Sequence, residues 1–414
     1  MFDQYLITGA TGFLGRAVAE ELVRRRAQVH ALVLHNDPYI HLLPKEVHTI
    51  VGDVCVKNSL ADFFADAGSR TCVIHCAGVV SVASRPGSKL YQVNVGGTWQ
   101  VLRQCMKRNV GRLIHVSSVH AIPEKPKGCI ITEDCEFSPG LVDGDYAKSK
   151  AIATELVFDA AKRGLNASIV FPSGIIGPGD IQGGSFTSMV KSFLSGKLPF
   201  AVRGGYDFVD VRDVAEGILA CSESGEPGKG YILSGHHVTI RKMLQLVGKA
   251  AKLRYRPICL PLGLAKLAAP YYERRSLREQ KPLFFTPYSV AVLASNGCFS
   301  HAAASERFAY QPRPAQRASV GRVQAADAPF FQIRRDLVRR LLHGGKVAGI
   351  LRLMAVVNHL KNVPLLGKQL DSSCERPYRL RRTGQKQQRF LLRLPMLQNL
   401  QISSLPRLFR HELG

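Results

Sequence analysis

The chain has 414 residues, 46% of them hydrophobic and 21% charged, with a mean hydropathy of −0.01. That composition excludes a disordered chain and a multi-pass membrane protein, and the length allows two domains or one large domain with an appendage. The net charge of +25 is uneven: residues 315–414 hold 19 Lys+Arg against 5 Asp+Glu, so it says little about what the main body binds.

The N-terminus runs straight into an apolar segment, Tyr5–Thr8, with no basic leader or cleavage site, so a cytoplasmic protein is expected. Further short runs at Val29–Leu34, Val47–Val51, Cys72–Cys76, Arg112–Val116, Ser168–Phe171 and Gly230–Leu233 read as strands. Between the first two, Leu14, Val18 and Leu22 recur every four residues, and between the fourth and fifth Val95, Leu102 and Met106 fall on one helical face. Continuous apolar strands alternating with amphipathic helices predict an α/β fold with a doubly wound parallel sheet. Such a sheet binds ligands beyond the carboxyl ends of its strands.

The first strand leads into Thr8-Gly9-Ala10-Thr11-Gly12-Phe13-Leu14-Gly15 and then a helix. Gly9 permits the tight turn, Gly12 lets backbone approach a pyrophosphate, and Gly15 lets helix pack on strand. The helix N-terminus adds free N–H groups and a favourable dipole, so a dinucleotide is expected here. The second strand ends Val33-Leu34-His35-Asn36-Asp37. His35 could bond a 2′-phosphate, and Asp37 lies further into the loop, which slightly favours NADP over NAD.

Asp145-Tyr146-Ala147-Lys148-Ser149-Lys150 places Tyr146 and Lys150 on one helical face. An ammonium beside a phenol favours the phenolate and makes the tyrosine a usable proton donor or acceptor. Ser117 and Ser118 end the fifth strand, where a hydroxyl could hold a substrate carbonyl. The ten cysteines include no C-x-x-C pair, so reduced, buried thiols and no metal are expected.

In this order the chain also carries Gly52-Asp53, His75-Cys76-Ala77-Gly78, Val93-Asn94-Val95-Gly96-Gly97-Thr98, Phe171-Pro172-Ser173-Gly174-Ile175-Ile176-Gly177-Pro178-Gly179-Asp180 and Phe208-Val209-Asp210-Val211-Arg212-Asp213-Val214-Ala215. Over residues 3–314 it resembles the extended short-chain dehydrogenase/reductases of the NAD-dependent epimerase/dehydratase superfamily. Among these it is most similar to dihydroflavonol-4-reductase-like and 3β-hydroxysteroid-dehydrogenase-like members. The resemblance implies a Rossmann domain over residues 1–173 plus about 206–234 and a smaller substrate domain over 174–205 plus 235–314. It implies that Ser118 orients the substrate oxygen, with Ser117 as the fallback, that Tyr146 exchanges its proton, and that Lys150 holds the nicotinamide ribose. It assigns Gly9, Thr11, Gly12, Phe13, Leu14, Gly15, His35, Asp53, Val54, Ala77, Gly78, Asn94, Pro172 and Ser173 to the cofactor, with Asp53 at the adenine and Asn94 supporting the relay.

Dehydratases of this superfamily carry carboxylates directly after the strand-five hydroxyls, whereas Ser118 is followed by Val119, His120 and Ala121. His120 reads as a surface loop residue. The expectation is therefore an NAD(P)-dependent oxidoreductase acting on a carbonyl or secondary alcohol of an apolar small molecule. A nucleotide-sugar epimerase and a non-catalytic cofactor sensor are the alternatives. Leu260, Leu262, Leu264 and Leu267 read as an apolar lid or as plain core. The resemblance stops after Pro314, and residues 315–414 read as a basic extension, either poorly ordered or the product of a frame slip. Its basic helices are compatible with weak contact to an anionic membrane surface; no specific nucleic acid is expected, and a homodimer is compatible with the resemblance.

Overall fold

The computed structural model describes residues 2–198, 200–253 and 257–314; the basic extension, with its membrane and nucleic-acid readings, lies outside the described residues. In chain order the strands are β1 (Gln4–Thr8), β2 (Gln28–Val33), β3 (His48–Val51), β4 (Thr71–His75), β5 (Arg112–Val116), β6 (Ala167–Pro172), β7 (Gly174–Ile176), β8 (Phe200–Val202), β9 (Gly205–Asp210), β10 (Gly230–Leu233), β11 (His236–Thr239) and β12 (Ile258–Leu260). The helices are α1 (Phe13–Arg24), α2 (Lys89–Tyr91), α3 (Thr98–Lys107), α4 (Asp145–Lys162), α5 (Ser185–Leu194), α6 (Val211–Ser224), α7 (Ile240–Ala250), α8 (Leu262–Arg278), α9 (Pro287–Ala294) and α10 (Ala302–Phe308).

The seven strands expected from the apolar runs are present, displaced by at most one residue at either end. They form one sheet in the order β10-β6-β5-β4-β1-β2-β3, parallel throughout. The chain reverses its direction of travel across the sheet between β1 and β4, which opens a crevice beyond their carboxyl ends. Alternation along each strand feeds two cores. Leu6, Val73, Leu113 and Ile169 join Leu102 of α3 and Ile152 and Leu156 of α4 on one face. Ile7, Ile74, Ile114 and Val170 join Val18 and Leu22 of α1 and Val214 and Ile218 of α6 on the other. This is a doubly wound Rossmann-type sheet.

Two small sheets, β11-β9-β7 and β12-β8, carry the remaining strands, with α5, α7, α8 and α9 around them. The last described residues return to the main body. Arg313 pairs with Asp213 of α6 at 2.6 Å, and the Tyr310 hydroxyl donates to the carbonyl of Ser234 at 3.1 Å. Leu260, Leu262 and Leu264 are half-buried, whereas Leu267 is 78% exposed.

Nine cysteines are free thiols, but Cys55, Cys129 and Cys298 are exposed rather than buried as expected; Cys374 lies outside the described residues. Each of the three falls in a loop or turn, where no sheet or helix face covers it. Among the described residues no helix is long and apolar enough to cross a membrane.

Candidate active site

The glycine turn closes as its spacing demands. Gly9 has φ +72°, and a Cβ there would sit 2.7 Å from the backbone nitrogen of Ala77. A Cβ on Gly15 would run into the carbonyl oxygen of Gly9. Helix α1 then starts at Phe13 with no side-chain cap and no acidic residue in its first turn. The N–H groups of Phe13, Leu14 and Gly15 therefore lack a side-chain cap and could hold an anion. Gly15→Ala is expected to destabilise the fold by about 1–3 kcal/mol, the usual cost of overpacking, and to weaken dinucleotide binding. A thermal melt and a cofactor titration check both; unchanged binding would contradict the assignment of this turn.

Beside the turn, Thr11 donates to the Asp37 carboxylate at 2.7 Å, and Asp37 also accepts from the backbone of Tyr39 at 2.9 Å. Asp37 thus reaches the turn despite its place in the loop, whereas His35 is exposed and makes no hydrogen bond among the described residues. The loop after β7 folds back over the same turn. Arg16 donates to the carbonyl of Gly179, and Gln182 donates to the carbonyl of Thr11 at 3.2 Å. Asp53 accepts from the backbone of Cys55 at 2.8 Å, a turn-forming bond. Val54 is buried and packs where a Cβ on Gly97 would lie.

A π-helical turn, Gln92–Gly97, separates α2 from α3 and carries Asn94. Such turns recur at functional sites. Buried Asn94 accepts from the backbone of Val79 at 2.7 Å and donates to the Ser149 hydroxyl at 3.0 Å. Asn94 and Lys150 both approach Gly78: a Cβ there would lie 3.4 Å from Asn94 Oδ1 and 3.3 Å from Lys150 Nζ. Lys150 Nζ donates to the carbonyl of Val116 at 2.9 Å. Burial pushes its pKa down to about 8, opposed by Cys76. Ala77 donates to the Thr8 hydroxyl at 3.2 Å, and Pro172 and Ser173 follow at the carboxyl end of β6, where Ser173 is buried.

The two serines after β5 separate cleanly. The Ser117 hydroxyl pairs with that of Thr154 on α4 at 2.8 Å, facing the core. The Ser118 hydroxyl accepts from the backbone of His120 at 3.3 Å and lies close enough to the Tyr146 hydroxyl to favour its phenolate. Burial raises the Tyr146 pKa above its ordinary value and Ser118 lowers it in part. The expected lowering by Lys150 is not found: its ammonium is turned to the Val116 carbonyl, and desolvation leads the Tyr146 shift.

His120 is not the surface residue the sequence suggested. It is half-buried, its ring 5.7 Å and edge-on from that of Tyr146. Nε2 meets the Tyr206 hydroxyl at 3.0 Å and Nδ1 meets the Tyr288 hydroxyl at 3.2 Å. Burial pushes its pKa down to about 4. Behind it the aromatic wall continues through Phe208 and Phe299, whose rings lie 6.0 and 6.2 Å from Tyr206. Periodicity could not reveal this cluster, since its partners are 86 and 168 residues away. The only local signal was the position of His120 two residues after Ser118.

A glycine turn at a topological switch point, with a serine, tyrosine and lysine on the same edge of the sheet, defines a dinucleotide-dependent enzyme of the extended short-chain dehydrogenase type. The family model of the NAD dependent epimerase/dehydratase family matches residues 5–234, and the chain belongs to that family. It is 31% identical to sterol demethylase protein B of Methylococcus capsulatus over 67% of this chain and 85% of that protein. It is 30% identical to a putative dihydroflavonol 4-reductase of Synechocystis, over 65% of this chain and 81% of that protein. The crystal structure of gox2253 superposes with a TM-score of 0.67 at 28% identity, covering 77% of this chain and 96% of that one. The chain is an NAD(P)-dependent oxidoreductase.

Proposed function

We propose that the chain interconverts a ketone and a secondary alcohol on a hydrophobic polycyclic molecule of sterol-like character, with NAD as its redox partner. The observation that carries this reading is the convergence of Ser118, Tyr146 and Lys150 at the carboxyl edge of the sheet, with Lys150 one helical turn beyond Tyr146 and its Nζ on the Val116 carbonyl. In this reading residues 1–173 plus about 206–234 hold the cofactor, and residues 174–205 plus 235–314 hold the substrate.

The uncapped α1 N-terminus, the two glycines that exclude a Cβ and the polar pair Asn94 and Lys150 fit a dinucleotide laid across the crevice. When bound, its nicotinamide supplies or accepts a hydride. Ser118 Oγ holds the substrate oxygen in line, and Tyr146 Oη delivers a proton to that oxygen or removes it. Lys150 holds the ribose hydroxyls and, once turned from Val116, lowers the tyrosine pKa toward the working range. Asn94 fixes the Val79 backbone and Ser149, keeping that wall of the crevice in register.

The aromatic wall of Tyr206, Phe208 and Phe299 supports an apolar ring system rather than a charged substrate. The sterol and dihydroflavonol in the relatives' names point the same way. For the cofactor, Asp37 revises the slight preference for NADP. Its carboxylate sits on Thr11, and residues 34–39 contain no Lys or Arg to neutralise a 2′-phosphate there. NADH is therefore expected to bind at least about tenfold tighter than NADPH, and Asp37→Ser to narrow the gap. Equal affinities in the unaltered chain would contradict the role given to Asp37.

The test of the whole reading is a panel of 3-hydroxysteroids and 3-ketosteroids set against UDP-glucose, followed by nicotinamide absorbance and product analysis. Turnover of steroids with net cofactor oxidation or reduction is expected. Epimerisation of UDP-glucose without net cofactor change, and no steroid turnover, would replace it with the epimerase reading.

A further inference from the structure

His120, Tyr206 and Tyr288 form a polar cluster that the hydride transfer does not use. They come from three separate places: a short turn after Ser118, strand β9 and helix α9. The fold invests in their alignment. Helix α9 begins with a capping box in which Thr286 and Ser289 satisfy one another's backbone N–H, and Pro287 opens the helix. Thr286 also donates to the carbonyl of Val82, so the turn bearing Tyr288 is held against the crevice wall. Gly144 has φ +88°, and a Cβ there would strike the Tyr288 ring, so the approach to α4 is shaped to seat that ring.

The hydrogen-bond inventory of the cluster does not close. A neutral imidazole has one donor and one acceptor nitrogen. If Nδ1–H donates to the Tyr288 oxygen, the Tyr206 O–H donates to Nε2 and the Tyr288 proton is left over. In the other tautomer Nε2–H donates to Tyr206, Tyr288 donates to Nδ1, and the Tyr206 proton is left over. Neither phenol has a second partner among the described residues. Burial keeps the imidazole uncharged through the neutral range, so the surplus is a fixed phenolic O–H rather than a titrating charge. The imidazole that both phenols share stands edge-on to the Tyr146 ring, 5.7 Å between centroids, next to where the reacting oxygen would sit.

We propose that the Tyr206–His120–Tyr288 cluster is a specificity device that offers this one surplus phenolic O–H to a second oxygen acceptor carried by the substrate next to its reacting carbon. This rests on the oxidoreductase reading of the same site and adds to it the substrate's shape: an apolar ring bearing two neighbouring oxygen functions. The two phenols can exchange the donor role by a change of imidazole tautomer, so removing one hydroxyl leaves the other able to serve.

The test uses the full chain with oxidised NAD, which prevents reduction of a ketone, and two probes, cyclohexanone and ethyl 2-oxocyclohexanecarboxylate. Dissociation constants are read by ligand-observed NMR. The keto ester is expected to bind about fivefold tighter, the worth of one neutral hydrogen bond. The double variant Tyr206→Phe/Tyr288→Phe is expected to bring the ratio close to one. Should that variant not fold, the unaltered chain supplies a second reading: the keto ester, and not cyclohexanone, shifts the imidazole 15N resonances of His120. Equal binding of the two probes by the unaltered chain, a preference that survives in the double variant, or an unmoved His120 signal would overturn the proposal. A preference that is present while neither ketone is reduced by NADH upholds it and counts instead against the hydride-transfer reading.

Discussion

Tyr146→Phe is expected to lower kcat/KM by about a thousandfold, within the range by which positioned general acids accelerate proton transfer. The substitution keeps the ring, so the buried edge-on contact with His120 survives and the thermal midpoint is expected to move little. Ser118 keeps its hydrogen bond from the backbone of His120 at 3.3 Å. What disappears is the O–H that exchanges a proton with the reacting oxygen. Cofactor affinity is expected to hold, because the glycine turn and Lys150 are untouched. Steady-state kinetics with a cofactor titration separate the two, and activity within a few-fold of the unaltered chain would move the proton to another group.

The second large effect concerns acid. His75, His115 and His120 all have folded pKa values pushed below the ordinary imidazole value, to about 3 for His75 and about 4 for His120, with desolvation as the leading cause. His75 is held between the hydroxyls of Thr8 and Thr98, and His115 has no partner for either ring nitrogen among the described residues. The unfolded chain protonates these rings near pH 6.5 and the folded chain does not. Stability is therefore fully present above about pH 6.5 and lost as the pH falls below it, because the unfolded state then binds more protons. Three such groups should remove about 4 kcal/mol between pH 7.5 and 5.5. Asp207 and Asp213, whose pKa values burial raises, work in the opposite sense. Guanidinium melts at the two pH values check the figure, and His115→Phe should shallow the slope by about a third. A flat profile would mean that the rings are protonated inside the fold.

Much of the fold was legible because it depends on local pattern. The strands are short apolar runs, and the order of turns between them admits few parallel topologies. The glycine turn and the placing of Tyr146 and Lys150 on one face of α4 were legible for the same reason, since each follows from spacing within one element or at its end; the choice of Ser118 over Ser117 came from the family resemblance. Val95, Leu102 and Met106 suggested one regular helix, yet the π-helical turn that carries Asn94 breaks that helix and leaves no mark on the apolar period. The Asp37 bond to Thr11 and the return of Gln182 to the same turn depend on loop paths across 26 and 171 residues. His120 was misread because its burial comes from Tyr206 and Tyr288, which only the folded chain brings to it.

The central claim, that this edge of the sheet transfers a hydride to a carbonyl, is tested most directly with NADH deuterated at C4 and a 3-ketosteroid. The account predicts a 3-hydroxysteroid carrying one deuterium at the carbinol carbon, delivered from one face and from one of the two C4 positions only. A reduced steroid without deuterium, or a chain that binds NADH tightly and leaves every ketone unchanged, would contradict it.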